Sequence, residues 1–363
     1  MKKTLVILLA LSLLLALAAC GEKAPTSAAP PSEGRAVGGT LNIYTWEGMF
    51  PEDILSNFEA ETGVTINYVN FDTDETMLSK LQDAKGGDYD LIIADDYIIE
   101  LAIQEGLVQK LDAAKLSNYG NINPFYQGQF YDPADEYTIP YGAGVQTIVY
   151  DPSLTSIDIK GYADLLDPSL KNNVGVIANY RVIDGLALKI NGYSYNTNNI
   201  DEINAAGATL LELAPNIRLI KDDNIEDDLI IREVAATVMY TSQVTMAKLA
   251  KPDLEVVYPS EGIGFGIMAG FIPSNAPNAD AAYAFLNYIL DAQRGAECFE
   301  WLGYYSTFSA SDPLISEEFQ SFLTLPEDFK TTDSEMIENI SAEADAAHEL
   351  IWTAFREATG QTD

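Results

Sequence analysis

An α/β fold in two lobes is predicted by three features: short apolar strands alternate with amphipathic helices, the alternation returns in the later half, and the chain has 363 residues. A packed core is expected, since 47% of the residues are hydrophobic and 10% aromatic, with 20 Tyr. The formal charge of −35, from 20 Lys and Arg against 55 Asp and Glu, excludes a nucleic-acid binder that neutralises phosphates. With one histidine, His348, and two cysteines, Cys20 and Cys298, a Cys/His zinc site, a disulfide framework and a Ser-His-Asp triad lack support. No cofactor and no metal are expected.

Lys2 and Lys3 precede an apolar run from Leu5 to Ala19, which ends in Leu17-Ala18-Ala19-Cys20-Gly21. These are the charged, apolar and small-residue regions of a secretory signal. The run is short for a spanning helix, which needs roughly 20 apolar residues. An uncleaved anchor is the alternative. Leu-Ala-Ala-Cys before Gly resembles a bacterial lipobox, which implies that residues 1–19 are a lipoprotein signal peptide and that Cys20 is lipidated. Residues 20–39 hold Pro25, Pro30, Pro31, Ser27, Ser32 and Gly34 and read as a flexible tether. A lipid on a tether places the body on the outer face of the cytoplasmic membrane, or on the periplasmic side of a two-membrane envelope.

Leu41 to Trp46 is the first predicted strand. Pro51 then opens a helix with Ile54, Leu55 and Phe58 on one face, ended by Gly63. Val64 to Val69 is the second strand. Asp72-Thr73-Asp74-Glu75 is a capping turn before a helix from Glu75 to Ala84, since no Gly or distant Glu completes a calcium loop there. Asp90 to Ala94 is a buried strand, and Tyr97 to Gln104 a helix capped by Asp95 or Asp96. This order favours a parallel sheet covered by helices on both faces.

The second set comprises Val145–Tyr150, Val174–Ile177, Ile183–Ile190, Ala205–Leu213, Ile217–Ile220 and Val234–Tyr240. Tyr137–Gly144 and Phe265–Pro273 are candidate crossings between lobes. Gly262-Ile263-Gly264-Phe265-Gly266 lacks the spacing of a nucleotide loop and reads as a turn or hinge. Helices are predicted over Ala279–Leu290, Asp291–Leu302 and Asp333–Ala358. Cys298, in Glu297-Cys298-Phe299-Glu300-Trp301, is expected as a buried helical thiol, and His348, in an acidic helix, as a surface residue. No fixed-period repeat is present. Ligands of open α/β sheets sit at the carboxyl ends of strands, so the loops after Tyr44, Ala94 and Ile177 are the places to look. Two lobes, a tether and no spanning run after Cys20 point to a capture protein outside the cell.

Several stretches carry a family resemblance. They include Leu41-Asn42-Ile43-Tyr44-Thr45-Trp46-Glu47, Glu59 to Tyr68, Asp74-Glu75-Thr76-Met77 with Lys80-Leu81, Tyr89-Asp90-Leu91-Ile92 and Tyr97. Glu105 to Asp112, Ile139-Pro140-Tyr141, Asn191-Gly192-Tyr193-Ser194, Pro259-Ser260-Glu261-Gly262, Ile272-Pro273 and Gly303-Tyr304 continue it in order. Across nearly all of the chain beyond the tether, the sequence resembles the polyamine-binding proteins of spermidine/putrescine ABC importers. The resemblance implies a two-lobed, periplasmic-binding-protein-like (type II) fold, each lobe a mainly parallel sheet flanked by helices, with an interlobe ligand cleft. Residues 40–142 and 268–312 would form lobe 1, and 143–267 and 313–361 lobe 2. It also implies a non-enzymatic, monomeric binding lipoprotein that closes about a hinge over putrescine, spermidine or a related organic cation and delivers it to an ABC permease.

In such proteins aromatic rings sandwich the aliphatic stem and carboxylates take the ammonium ends. An ammonium over a ring face gains roughly 0.5 to 2 kcal/mol, and carboxylates add charge-assisted hydrogen bonds. By resemblance, Trp46 and Tyr97 are the aromatic walls of the first lobe and Tyr304 is a third aromatic. Tyr240 stands where the family has a tryptophan. Glu47 and Asp95 replace small hydroxyl residues, and Glu338 falls near a polar amide position. Asn179 and Val182 occupy the family's acidic pair, Met268 its central aspartate and Gly266 an aromatic position. Asp95, Asp96, Glu47 and Glu338 are candidates for replacement charge. Arg181 is read either as the partner of an acid or as a bidentate holder of a ligand carboxylate, which would make the ligand an amino acid or another zwitterion. A sugar stacked on Trp46 and Tyr97, and a tethered glycosidase using Glu47 and Asp95, are the remaining alternatives.

Overall fold

The computed structural model describes residues 38–221, 224–325, 329 and 333–361. The predicted signal peptide, Cys20 and nearly all of the tether lie outside these residues. The first lobe begins with β1 (Gly39–Thr45), α1 (Glu52–Thr62), β2 (Val64–Asn70), α2 (Asp74–Asp83), β3 (Leu91–Asp95) and α3 (Asp96–Gln104). Then β4 (Thr138–Tyr150) leads into the second lobe. There follow β5 (Val174–Val176), α4 (Tyr180–Ile190), α5 (Ile200–Leu213), β6 (Ile217–Ile220), α6 (Ile225–Ile230), β7 (Ala236–Tyr240), α7 (Thr241–Ala250) and β8 (Glu255–Val257). The chain returns on β9 (Gly264–Phe271), and continues through α8 (Ala279–Ile289), α9 (Ala292–Leu302), α10 (Glu317–Leu323), β10 (Glu335–Met336) and α11 (Ala342–Thr359).

Local chemistry sets the ends of these elements. Pro51 caps α1, and Gly63, at φ 70, ends it by donating its N–H to the Glu59 carbonyl at 2.9 Å. Thr73 Oγ1 accepts the Thr76 N–H at 3.2 Å, which makes the acidic stretch before α2 a cap, as read from the sequence.

The strand order is β2-β1-β3-β9-β4-β7-β5-β6, with β8 added to β4 and β10 to β9. Strands β1, β2 and β3 pair in parallel, as do β5 with β6 and β7. The crossing strands β4 and β9 run antiparallel to each other, and to β7 and β3 respectively. Along β4 the partner changes between adjacent residues: Val145 lies opposite Phe265 of β9, and Gln146 opposite Tyr240 of β7. One strand therefore belongs to both lobes.

Two apolar clusters cover the faces of the first-lobe sheet, one around Ile43, Phe58, Phe285 and Phe299 and the other around Tyr44, Ile92 and Phe271. The second lobe has its own cluster around Val149, Ile183, Leu210 and Phe355. Burying each such side chain contributes roughly 1.5 to 3 kcal/mol. After residue 312 the chain places Ile315 and Leu323 in the first-lobe core before Ala344, Ile351 and Phe355 join the second.

Two sequence expectations are corrected here. The last helix begins at Ala342 rather than Asp333, because Glu335 and Met336 pair with Gly264 and Phe265 of β9, and Ser341 Oγ then caps the helix on Ala344 N–H at 3.2 Å. His348 is fully buried rather than on the surface, its Nδ1 lying 2.9 Å from Asp184 Oδ2. Cys298 is buried as expected, and burial pushes its thiol up to about 12, with the acidic neighbour Glu297 adding to the effect. Among the described residues no helix is long and apolar enough to cross a membrane.

Candidate functional site

A cavity of about 820 Å³ opens between the lobes where strand ends and helix starts converge. From the first lobe, Glu75 at the start of α2 and Asp95, Asp96 and Tyr97 at the β3–α3 junction face it. From the second lobe come Asn179 and Arg181 at the start of α4, and Tyr240 at the end of β7. Gly144 and Met268 of the crossing strands, Tyr304, Glu338 before the last helix and Asp345 in its first turn complete the parts that bear on its chemistry.

Helix N-termini carry partial positive charge, which would repel a cation. Side-chain acceptors occupy several of them here. Asp96 Oδ1 accepts the Tyr97 N–H at 2.7 Å while its Oδ2 accepts the Ile267 N–H at 2.7 Å, so one carboxyl ties α3 to β9. Asn179 Oδ1 accepts the Val182 N–H at 3.2 Å, and its Nδ2 donates to the Tyr240 hydroxyl at 3.0 Å. Val182, one of the two positions where the resemblance expects acids, is buried in the first turn of α4.

The first-lobe wall is a carboxyl cluster. Burial and the facing Asp95 push Asp74 up to about 8, and burial and the neighbouring Asp96 push Asp95 up to about 7. The Asp95 N–H donates to Asp74 Oδ1 at 3.5 Å, and both carboxyls stand well above the ordinary carboxylate range. Asp96 also rises to about 7 through burial, although the Ile267 and Tyr97 amides pull the other way. The Tyr97 hydroxyl donates to Glu75 Oε1 at 3.0 Å, and burial beside Asp74, Glu75 and Asp95 holds the phenol protonated. Burial also raises Tyr304 and Glu338 above their ordinary values. The Tyr304 ring lies over Gly144, where an added Cβ would stand 2.9 Å from Cε1.

Seven of the nine residues expected from the sequence line this one cleft: Asp95, Tyr97, Asn179, Tyr240, Met268, Tyr304 and Glu338. Trp46 and Glu47 are outside its lining. The Trp46 ring tilts onto Phe71 with centroids 4.8 Å apart and packs between the two first-lobe clusters, and Glu47 is exposed beyond it. Glu47, one of the pair required by the glycosidase alternative, therefore does not line this cleft, whereas Asp95 does. From the sequence, Asp74 and Glu75 had a place in the capping turn and in the family resemblance, but no role in the site. Their signal was two consecutive acids opening a helix, which became informative once α2 was seen to start beside the end of β3.

The family model described as bacterial extracellular solute-binding protein matches residues 53–327. This chain belongs to that family. Relatives of the solute-binding protein include the spermidine/putrescine-binding periplasmic protein of Salmonella typhimurium, 32% identical over 311 residues, which cover 85% of this chain and 89% of that protein. The Escherichia coli protein of the same description is 32% identical over 293 residues, 80% of this chain and 84% of the other. A solved structure of a spermidine/putrescine ABC transporter substrate-binding protein from Streptococcus pneumoniae superposes with a TM-score of 0.81 at 27% identity, covering 89% of this chain and 100% of that one. These relatives are binding proteins rather than enzymes. The solute-binding protein is thus two-lobed and extracytoplasmic by family, with the cleft as its binding site candidate.

Proposed function

We propose that this protein captures a small organic cation of the polyamine class, putrescine, spermidine or a close relative, and presents it to the permease of an ABC importer. The observation that carries this reading is the first-lobe wall, where the Tyr97 ring stands among the carboxyls of Glu75, Asp95 and Asp96 on the face of the cleft. An ammonium placed there meets a ring face and anionic oxygens in a partly dry site, where both attractions are stronger than in water. Tyr304 and Tyr240 offer further ring surface to an aliphatic stem, and Glu338 is a further acid. Met268 and Asn179 leave neutral the positions where the resemblance expects charge, which favours a guest with fewer or differently spaced ammonium groups. Trp46 and Glu47, outside the lining, are not among the proposed contacts.

Capture proceeds by closure of the two halves, which divide where β4 changes partners, and contacts from both walls favour the closed form that docks on a permease. The body acts as a monomer held to the outer membrane face by lipid on Cys20, supported by the charged, apolar and Leu-Ala-Ala-Cys regions at the N-terminus. Isothermal titration with putrescine and spermidine tests the ligand. Saturable heat is expected for at least one of them, and its absence at millimolar concentration would remove the polyamine ligand while leaving the solute-binding role.

A further inference from the structure

Arg181 is the feature of the cleft that a simple diamine site does not explain. Its Nη2 donates to the backbone carbonyls of Tyr195 at 3.3 Å and Glu338 at 3.2 Å, while its Nε is buried with no hydrogen-bond partner among the described residues. Among the described residues no carboxylate lies within ion-pair distance of it, whereas Lys189, Lys251 and Arg294 reach Glu335, Asp151 and Glu61 at 2.7, 3.0 and 2.9 Å. The acids whose charges bear on it make their hydrogen bonds to other groups: Asp184 Oδ2 with His348 Nδ1 at 2.9 Å, its Oδ1 being buried without a partner among the described residues, and Asp345 with the Tyr180 hydroxyl at 2.7 Å. Arg181 also lies in the first turn of α4, where no hydrogen bond among the described residues takes the N–H of Tyr180 or of Arg181 itself. A guanidinium that lines the cleft without a carboxylate partner, beside a helix N-terminus, offers positive charge and N–H donors that suit a carboxylate. A second ammonium brought to the same place would meet like charge instead.

We propose that the second-lobe side of the cleft receives a carboxylate through Arg181, so that the preferred ligand is an amino carboxylate with its ammonium toward Tyr97 and Asp95. This inference rests on the reading of the first-lobe wall as a cation site and, at the far end of the guest, puts a carboxylate where a polyamine has its second ammonium. Titration of the full chain with 4-aminobutanoate and 5-aminopentanoate, against 1,4-diaminobutane and 1,5-diaminopentane, provides the test. One amino carboxylate is expected to bind at least about tenfold more tightly than the diamine of equal length. Arg181→Ala should remove about that factor for the amino carboxylate and leave the diamine unchanged or tighter, and Arg181→Lys should keep part of it. Melting of the unliganded variants controls for folding, and if Arg181→Ala does not fold, the wild-type ranking decides alone. Diamines that outrank amino carboxylates, or equal weakening of both series in Arg181→Ala, would overturn the assignment to Arg181 and leave cation capture standing. Absence of binding by either series at millimolar concentration would overturn the cation site and this inference together.

Discussion

The phenol of Tyr97 and the carboxylate of Glu75 are joined by a 3.0 Å hydrogen bond across the mouths of α3 and α2. Glu75 thereby fixes the tilt of the ring that faces the cleft, and the same contact brings its own charge to the cleft wall. Ring orientation and negative charge at this wall are coupled through that bond.

Removing the ring and removing the bond should therefore separate. Tyr97→Ala is expected to weaken cation binding by an order of magnitude or more, from loss of the cation–ring attraction. Tyr97→Phe keeps the ring and loses the tether, and should cost only about three- to fivefold, as for one hydrogen bond. Trp46→Ala, which disturbs packing against Phe71, should lower the melting temperature with a smaller effect on affinity than Tyr97→Ala. Titration and thermal unfolding of the three variants check this ordering.

Cation affinity should rise with pH. Asp95 and Asp74, raised to about 7 and about 8, are largely protonated at pH 6 and ionise by pH 9, while an alkylammonium stays charged. A gain of about tenfold across that range is expected, with proton release on binding below pH 8 that calorimetry in buffers of different ionisation enthalpy would register. For the unliganded fold the sign is opposite. Carboxyls whose folded pKa exceeds the unfolded value stabilise fully below about 4, and that contribution is lost as pH rises through about 7 to 8. Asp74→Asn should flatten this part of the melting-temperature profile, and an unchanged profile would count against the pair.

Gly144→Ala tests the close approach of Tyr304 to β4. The added Cβ would stand 2.9 Å from Cε1 and 3.1 Å from Cδ1 of the ring, so the ring must move. Overpacking of this kind costs about 1 to 3 kcal/mol, and displacement of a cleft aromatic should weaken ligand binding as well. Urea unfolding and titration read the two effects.

Asp96 holds a structural junction rather than free charge. Asp96→Ala leaves the Ile267 and Tyr97 N–H groups without their acceptor in a buried setting, and should destabilise by about 1 to 3 kcal/mol. Chemical denaturation measures it directly.

Cys20→Ser is expected to shift the protein from the membrane fraction to the soluble fraction of expressing cells, without changing the affinity of the folded body. Retention in membranes would favour the uncleaved anchor.

The helices and strands around the cleft were legible because their chemistry is local. Pro51 and Gly63 bound α1, Thr73 caps α2, and the apolar run from Leu91 to Ala94 announces β3 whatever its partners. His348 was misplaced because the acids of α11 describe its exposed side, while the residue itself turns inward to an aspartate 164 positions earlier. Glu335 and Met336 read as helix because strand pairing with β9 leaves no mark in so short a segment.

Sequence by itself determined the two α/β lobes, the negative charge and the residue types for holding a cation, since periodicity, caps and composition act over a few positions. Tertiary structure decided which side chains share the cleft. It turned Trp46 toward Phe71, set Glu75 beside Tyr97, and left Arg181 without a carboxylate partner among the described residues. Those outcomes depend on which strand ends and helix starts the crossing strands bring together, and that is fixed by long-range pairing and packing.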